Sequence, residues 1–496
     1  MEILAAAGDI TKIETGAILV THFEDEKIPG TAAAAADKKL NGAITGLIKQ
    51  KDIKGKLNEL TVIHSLGKLP AAKVVVLGMG KKKDLTDNKV RGAFAEACRF
   101  LRTKNVTSFA SVTLGAGTLP DNDAVTVMSE GAILGLYTFK QYMTKKENGD
   151  NEIKTITIFA EDKSTAVTAI KKGKIAAEAV NWARDLVNEP SNHLNPEDMA
   201  EAAREMAKTF GLKVEVFEKE KIKELGMGGL LGVNQGSYAP PKFIKVSYNG
   251  TKSKDIDIAL IGKGITFDSG GISLKPSENM GDMKGDMAGG ASVLAAIRAI
   301  AQYKPKINVM AIVPATENLP SGTAMKPGDV IKIMNGKTVE VNNTDAEGRL
   351  ILADALSYAV KLKAKNLIDI ATLTGACQVA LGNITTGEFS NNKALEEKII
   401  TAGKEAGEPV WAMPMDDEYF EGMKSDIADM KNSGGRYGGA ITGAKFLEQY
   451  VDKTPWVHLD IAGTSDTDKD KGYNVKGATG VPVRTLINFV MNEANK

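Results

Sequence analysis

The chain has 496 residues and a mass of 52.7 kDa, enough for about two or three domains. Hydrophobic residues make up 43% of it and charged residues 25%, which excludes a disordered or collagen-like chain. Lysine and arginine total 63 against 62 acidic residues, so the net charge is +1. A chain this close to neutrality has no overall field that would gather nucleic acid or an anionic membrane.

The cysteines and the N-terminus bear on the compartment. Cys98 and Cys377 are the two cysteines, too few for a disulfide framework, and we expect buried thiols in a reducing environment. The segment Met1-Glu2-Ile3-Leu4 lacks the charged and apolar regions of a signal peptide. No stretch reaches the ~20 apolar residues that span a bilayer. We therefore expect a cytoplasmic, soluble protein.

The first part of the chain alternates short β-branched segments with helical ones, which predicts an α/β domain. The lysine run at Lys81, Lys82 and Lys83 follows a predicted strand and is interpreted as a solvated loop, with an anion-binding patch as the alternative. This part contains no catalytic constellation. The predicted strands are 17–21, 60–63, 73–78 and 153–160, and the predicted helix is 88–103.

A helical pattern over 165–188 ends in a turn-rich segment, so we interpret residues 161–190 as a linker helix. The linker separates an N-terminal domain, residues 1–160, from a C-terminal catalytic domain, residues 191–496. The next helix begins with Asn195 as its cap and Pro196 in its first turn.

The C-terminal part contains four apolar strand candidates with helices between them. This order predicts a parallel or mixed sheet covered by helices on both faces. The fold class is therefore α/β with two domains. The predicted strands are 256–261, 307–313, 366–372 and 456–461, and the helices between them include 287–303 and 349–362.

Charged residues follow these strands on segments predicted to be glycine-rich loops, at the sheet edge where open α/β proteins bind ligands. None of the four histidines lies there, which excludes a His-x-x-x-His zinc site and a histidine-based triad. Oxygen donors without histidine suit divalent ions, and five carboxylates exceed the needs of one ion. The pattern predicts two ions about 3.5–4 Å apart. The charged residues are Lys263, Asp268, Lys275, Asp282, Lys284, Asp286, Asp345, Glu347 and Arg349.

Each of these residues also has a purely structural interpretation. Thr344 and Glu347 match a capping box at a helix start. Asp286 precedes a helix and could complement its dipole, and Asp268 could belong to an Asx-turn. The lysines could be solvated loop cations. His458, in an apolar strand, is interpreted as a core histidine with its hydrogen bonds satisfied.

Taken together and in order, these segments resemble the leucyl (cytosol) aminopeptidase family of dinuclear metallopeptidases. Residues 343–350, Asn-Thr-Asp-Ala-Glu-Gly-Arg-Leu, are similar to the signature of that family. The resemblance covers residues 165–490, and no function is carried into the N-terminal domain, which is similar only in size and pattern. The other similar segments are 262–271, 275–276, 283–287, 371–376 and 458–464.

The resemblance implies two divalent metal ions per chain, manganese or zinc, with magnesium or cobalt as alternatives. The tighter site would use Lys263, Asp268, Asp286 and Glu347. The more exchangeable site would use Asp268, Glu347, and both the side chain and the carbonyl of Asp345. Asp268 and Glu347 would therefore bridge the two ions.

The resemblance also implies an activity: removal of N-terminal leucine and other apolar residues from peptides, by a water molecule that bridges the two metals. Lys275 would polarise the scissile carbonyl and stabilise the tetrahedral intermediate. Arg349 would hold a bicarbonate ion that shuttles protons. The substrate-binding residues would be Met283, Thr372, Leu373, Gly375 and Ala462.

The family resemblance further implies a homo-hexamer whose active sites face an interior cavity, with peptides as substrates and no membrane partner. Two alternatives stay open. A DNA-binding role is disfavoured by the near-zero net charge. A dinuclear phosphoesterase is disfavoured by lysine coordination and by an apolar pocket.

Overall fold

The structure is a computed structural model that describes residues 1–115, 117–145 and 152–495. The chain divides into two compact units. The first comprises Met1–Glu178 and Lys469–Val475, and the second comprises Ala179–Asp468 and Lys476–Lys496. No helix formed by the described residues is both long enough and apolar enough to cross a membrane.

The first unit contains a six-stranded sheet in the order β1-β6-β5-β2-β4-β3, parallel except for β3. Its elements are β1 (Glu2–Ala6), β2 (Ala17–His22), α1 (Thr31–Lys39), α2 (Ala43–Lys49), β3 (Leu60–His64), β4 (Lys73–Gly78), α3 (Asp87–Thr103), β5 (Ser108–Val112), α4 (Asp121–Gly135) and β6 (Thr155–Phe159).

The central strands of this sheet are buried on both faces. In β4, Val75 and Leu77 join one apolar cluster, and Val74 and Val76 join the other, because successive side chains point to opposite faces. All four predicted strands and the helix from residue 88 are confirmed, whereas β1, β5, α1, α2 and α4 lie outside the sequence predictions. The lysine run, Lys81–Lys83, is exposed, as a solvated loop requires.

The second unit holds a nine-stranded sheet and two small sheets. Its elements are α5 (Lys163–Asn188, whose residues from Ala179 belong here), α6 (Pro196–Phe210), β7 (Lys213–Phe217), α7 (Lys219–Glu224), α8 (Gly228–Asn234), β8 (Lys242–Asn249), β9 (Ile258–Gly262), β10 (Gly264–Asp268), α9 (Ala288–Tyr303), β11 (Asn308–Asn318), β12 (Val330–Lys332), β13 (Thr338–Glu340), α10 (Gly348–Lys361), β14 (Leu367–Ala371), α11 (Gly375–Leu381), β15 (Thr386–Ser390), α12 (Lys393–Ala406), β16 (Val410–Ala412), β17 (Met430–Lys431), α13 (Gly439–Glu448), β18 (Trp456–Asp460), β19 (Asp466–Thr467), β20 (Gly477–Ala478) and α14 (Val483–Ala494).

The large sheet is mixed, as predicted. Its main path is β16-β15-β18-β14-β9-β11-β8-β7, and β10 pairs with the last part of β11. The four predicted strands are the central β18, β14, β9 and β11, which run parallel to one another. Their carboxyl ends therefore meet at one edge of the sheet.

Helices cover both faces of this sheet. Ala259 and Ile261 of β9 pack into an apolar cluster with residues of α8, α10 and α13. Leu260, between them, points to the other face, which α9 covers. At the start of α6, the side chain of Asn195 accepts hydrogen bonds from two main-chain N–H groups of the first turn, and Asp198 completes a capping box.

One local expectation is wrong. The sequence pattern predicts a loop for the glycine-rich segment after β9, but residues 264–268 form β10, which pairs in parallel with β11. Pairing becomes possible because β11 continues to Asn318, well beyond the predicted end at residue 313. Asp268 is therefore the last residue of a strand, which fixes its position.

Candidate metal centre

Lys263 and Asp268 lie at the ends of neighbouring strands. Lys263 connects β9 to β10, its N–H donates to the Ile370 carbonyl of β14, and its side chain is 3% exposed. Asp268 pairs in register with Asn318 of β11. Hydrogen bonds of the sheet thus hold both residues at the carboxyl-end edge.

Asp286 and Glu347 reach the same place from two helix N-termini, which favour negative charge. Asp286 lies two residues before α9, and Glu347 is the N-cap of α10. The Lys263 Nζ atom lies 2.7 Å from Asp286 Oδ2 and 2.8 Å from Glu347 Oε1. It also donates to the Thr372 carbonyl at 3.2 Å.

The glycine of the octapeptide makes room for this lysine. A Cβ atom added to Gly348 would lie 2.7 Å from Lys263 Cε and 2.8 Å from its Nζ. Any side chain there would push the ammonium group away from the two carboxylates. Gly348 is therefore required by the close approach of another side chain.

A second lysine links the remaining two carboxylates. Lys275 Nζ lies 2.8 Å from Asp268 Oδ2 and 2.5 Å from Asp345 Oδ1. The side chain of Lys275 is 22% exposed and that of Asp345 is 32% exposed, so this end of the site is open to solvent. Each of the four carboxylates implied as ligands thus forms an ion pair with one of the two lysines.

Burial and charge act against each other in this cluster. Burial raises the pKa values of Asp286 and Asp268 above their ordinary range, although Lys263 opposes both shifts. Burial would also raise the pKa of Glu347, but Lys263 and Lys275 hold it below the ordinary value. Burial disfavours the charge on Lys263, yet the surrounding carboxylates raise its pKa above the usual range. Four carboxylates therefore share two ammonium groups.

The donor set fits a divalent cation. One carboxylate oxygen each from Asp268, Asp286 and Glu347 lies within 4.8 Å of the others, and all three residues are buried. Glu347 Oε2 is buried and has no hydrogen-bond partner among the described residues. A buried, unpaired carboxylate oxygen is costly unless a cation binds it, and oxygen donors suit hard divalent ions.

The structural alternatives are now decided. The capping box is wrong, because Glu347 is the N-cap and the hydroxyl of Thr344 instead donates to the Gly270 carbonyl at 2.6 Å. The side chain of Asp286 caps no helix, but its position before α9 is one that the helix dipole favours, so the dipole interpretation stands. The Asx-turn of Asp268 exists, since Gly270 N–H donates to its Oδ1, but Oδ2 is left for Lys275. Asp268 therefore belongs to a turn and also pairs with Lys275.

Arg349 lies in the first turn of α10 and is buried. Its Nη1 donates to the Asn432 carbonyl at 2.8 Å, while its Nε has no hydrogen-bond partner among the described residues. Burial lowers the pKa of Arg349 to about 10, although the charges of Glu347 and Asp460 act in the opposite direction. The guanidinium can thus offer an N–H to an anion.

The five residues assigned to substrate binding all lie on segments at the carboxyl-end edge. The Thr372 hydroxyl donates to Asp286 Oδ1 at 2.6 Å, and Met283 accepts from Asp286 N–H through its carbonyl. Gly375 is exposed at the start of α11. Leu373 and Ala462 are half-buried on the segments that come after β14 and β18.

Two residues missed by the sequence reasoning organise these segments. Asn318 donates from its Nδ2 to Asp268 Oδ1 at 2.8 Å and to the Thr344 carbonyl at 3.0 Å. Asp460 Oδ1 accepts from the N–H groups of Leu373 and Ala462 at 3.1 and 3.2 Å. Each residue ends a strand at the site edge, and that position was the signal available in the sequence.

His458 lies away from the four carboxylates. Its ring is fully buried, and Nδ1 lies 2.6 Å from Asp369 Oδ1. The second oxygen of Asp369 accepts from the Trp456 indole at 2.6 Å. The interpretation of His458 as a core residue therefore holds, but its hydrogen bonds are not all satisfied, because Nε2 is buried and has no hydrogen-bond partner among the described residues.

Comparison with known proteins gives a consistent result for both parts of the chain. Residues 181–487 match the catalytic domain of the cytosol aminopeptidase family, and residues 19–146 match the N-terminal domain of the same family. A "Probable cytosol aminopeptidase" of Alkaliphilus metalliredigens (strain QYMF) is 45% identical over 484 residues, 96% of each chain. Another of that name, from Aquifex aeolicus (strain VF5), is 43% identical over 493 residues, 99% of this chain and 98% of the relative.

Solved structures agree. A mutant of tomato leucine aminopeptidase superposes with a TM-score of 0.89 at 33% identity, covering 99% of this chain and 96% of the other. The bottromycin maturation enzyme BotP in complex with Mn superposes with a TM-score of 0.87 at 31% identity, covering 97% of this chain and 100% of the other. The N-terminal match goes beyond the sequence expectation, which carried only size and pattern into that part. The chain belongs to the cytosol aminopeptidase family, and it is a metal-dependent aminopeptidase.

Proposed function

We propose that two divalent ions bind at the carboxylate cluster and that the chain removes N-terminal leucine and other apolar residues from peptides. The observation that carries the proposal is the buried group of Asp268, Asp286 and Glu347 with its unpaired oxygen. When bound, the two ions supply a water of lowered pKa and polarise the scissile carbonyl.

The ligands divide between a tighter and a more exchangeable site. The tighter site uses Lys263, as a neutral amine, together with Asp268, Asp286 and Glu347. Burial supports this division, because the side chains of Lys263, Asp286 and Glu347 are 2–6% exposed, against 32% for Asp345. Asp345, by side chain and carbonyl, holds the exchangeable ion together with Asp268 and Glu347.

Lys275 and Arg349 act on the substrate. The ammonium group of Lys275 lies at the open end of the cluster, where it can donate to the scissile carbonyl and stabilise the negative charge that develops on its oxygen. Arg349 would hold a bicarbonate ion, which would supply an oxygen able to take up and return a proton. The unpaired Nε of Arg349 supports this anion-holding role.

The side-chain preference is explained by the residues around the cluster. Met283, Thr372, Leu373, Gly375 and Ala462 surround the position of the first substrate residue. Methionine, leucine and alanine give this surface an apolar character, and Gly375 leaves space. A charged first residue would lose its hydration without gaining a partner there, so apolar residues are preferred.

Manganese or zinc is the proposed metal, with magnesium or cobalt as alternatives, and the solved BotP complex with Mn supports manganese. We also propose a homo-hexamer in the cytoplasm, in which the active sites face an interior cavity. Exposed apolar side chains support an assembled state, among them Val379, Trp411 and Tyr437.

The test compares two substrates that differ only at the amine. The chain is freed of metal with a chelator and assayed with leucine p-nitroanilide and with its N-acetyl derivative, before and after addition of manganese or zinc. We expect activity only with metal and only with the free amine. Hydrolysis of the acetylated substrate at a similar rate, or full activity without metal, would contradict the proposal.

A further inference from the structure

We propose that Asn432 is a positioning residue for the catalytic centre: its amide fixes the segment that carries Asp345 and Glu347, and its carbonyl orients Arg349. The kinetic part of this inference rests on the proposed function. The metal-binding part rests only on the two ions of that proposal and is independent of the peptidase activity.

All hydrogen-bonding positions of the Asn432 side-chain amide are taken up by one segment, residues 342–346. Its Oδ1 accepts from the N–H groups of Asn342 and Asn343, at 3.0 and 3.3 Å. Its Nδ2 donates to the carbonyls of Asn343 and Ala346, at 2.7 and 3.2 Å. An asparagine side chain has two donor hydrogens and two acceptor positions, so all four are satisfied by the segment before α10.

The main chain of Asn432 adds a second function. Its carbonyl accepts from Arg349 Nη1 at 2.8 Å, and the residue is 0% exposed. Asn432 therefore bonds the carbonyl of Ala346, directly before Glu347, and also bonds Arg349, two residues after Glu347. One buried residue thus sets the distance between a metal ligand and the anion-holding guanidinium.

A small sheet fixes the position of Asn432. Strand β17 pairs in parallel with β13, with Glu340 opposite Lys431, and the N–H of Asn432 donates to the Glu340 carbonyl at 3.0 Å. Asn432 is therefore held by the strand that leads into the segment it binds. The other side of that segment is attached through Thr344, whose hydroxyl bonds Gly270.

Loss of the amide would remove four hydrogen bonds from one side of the segment. The segment would relax while Thr344 still holds its other side, so Asp345 and Glu347 would shift rather than detach. Residues that orient metal ligands typically contribute about 10–100-fold in affinity or activity. We expect an effect of that size at the exchangeable site, to which Asp345 belongs.

The experiment uses the full chain with Asn432→Ala and Asn432→Asp. Aspartate keeps the volume and the acceptors but loses the two donors, so it isolates the bonds to Asn343 and Ala346. Manganese binding to the metal-free protein is measured by titration calorimetry, and kcat and KM are measured with leucine p-nitroanilide. We expect about 10–100-fold weaker binding of one ion and a similar loss of kcat, with KM changed less than about threefold.

Asn308→Ala provides the matched control. Asn308 is 3% exposed, and its amide accepts from Thr251 N–H and donates to the carbonyls of Ser253 and Asp255. It organises a loop at the opposite end of β11 from Asn318, on the order of 30 Å along the strand. Thermal unfolding of the metal-free proteins should show similar destabilisation for Asn308→Ala and Asn432→Ala.

Each outcome of this experiment decides the matter. Wild-type manganese affinity and kcat in both Asn432 variants would overturn the inference, as would an equal loss of metal in Asn308→Ala. If Asn432→Ala does not fold, the aspartate variant carries the test. An inactive parent chain that still binds two ions, one of them weakened in the Asn432 variants, would refute the proposed function but support the positioning role.

Discussion

The two units share an architecture but use buried charge differently. In the first unit, Arg91 of α3 and Glu130 of α4 form a buried ion pair at 2.6 Å. In the second, Lys263 faces two carboxylates, and Glu347 keeps an oxygen without a hydrogen-bond partner among the described residues. Burial of charge alone therefore does not mark a functional site.

The sheet edges show the same difference. The described residues contain one group of three close metal-ligating side chains, and it lies where β9, β10 and two helix N-termini converge in the second unit. In the first unit, apolar clusters also cover both faces of the sheet. The strand ends there carry no such group among the described residues. Equivalent scaffolds thus differ in the side chains at the carboxyl ends of their strands.

Glu347→Ala should have the largest effect on turnover. It removes the oxygen without a partner and one of the two carboxylates proposed to bridge the ions, so positive charge at the site would lose its compensation. We expect loss of at least one ion per chain and a fall in kcat of about 10³-fold or more. Metal content by mass spectrometry and kcat check this, and a variant with two ions and most of its activity would refute the dinuclear assignment.

Lys263→Arg should be nearly as damaging, because arginine cannot deprotonate to become a ligand. The neighbouring carboxylates raise the pKa of Lys263 in the metal-free chain, so metal must displace a proton from it. Affinity at the tighter site should then fall about tenfold for each unit of pH lost. We expect a folded variant, by circular dichroism, that does not hold this ion.

The parent enzyme provides the control for Lys263. It should lose activity and the tighter ion together as the pH falls below neutral. If Lys263→Arg retains both ions and near-normal turnover, Lys263 is not a ligand and serves only as the counter-ion of Asp286 and Glu347.

Arg349→Ala should leave both ions bound and slow turnover by roughly 10²-fold, the usual size of a lost proton-transfer contribution. Bicarbonate added to carbonate-free buffer should stimulate the parent enzyme far more than the variant. Equal stimulation of the two would contradict the anion-holding role of Arg349.

Glu130→Ala should have the smallest effect on turnover and a large effect on stability. Removing one partner of a buried ion pair leaves Arg91 partly uncompensated and costs about 3–5 kcal/mol of unfolding free energy. Denaturant unfolding measures that loss, and kcat per folded molecule should stay at the parent value. A drop in kcat comparable to that of Arg349→Ala would mean that the first unit takes part in catalysis.

The central strands could be predicted from the sequence because they are continuous apolar segments. The charged residues of the site could be predicted because they come directly after those strands. Strand β10 was not predicted, because its glycine and polar residues are typical of a loop until β11 is known to extend beside it. The roles of Asn318, Asp460 and Asn432 were not predicted either. Their roles come from hydrogen bonds to segments distant in the chain, and no local pattern encodes such partners.

The close approach of the Lys263 side chain to Gly348 has a consequence for substitutions at position 348. Because a Cβ atom there would lie 2.8 Å from Lys263 Nζ, the glycine and the lysine constrain each other. A larger residue at 348 would require the end of the Lys263 side chain to move, and that movement would take its Nζ away from Asp286 and Glu347. A substitution at 348 would therefore disturb the charge balance of the cluster without replacing any charged residue.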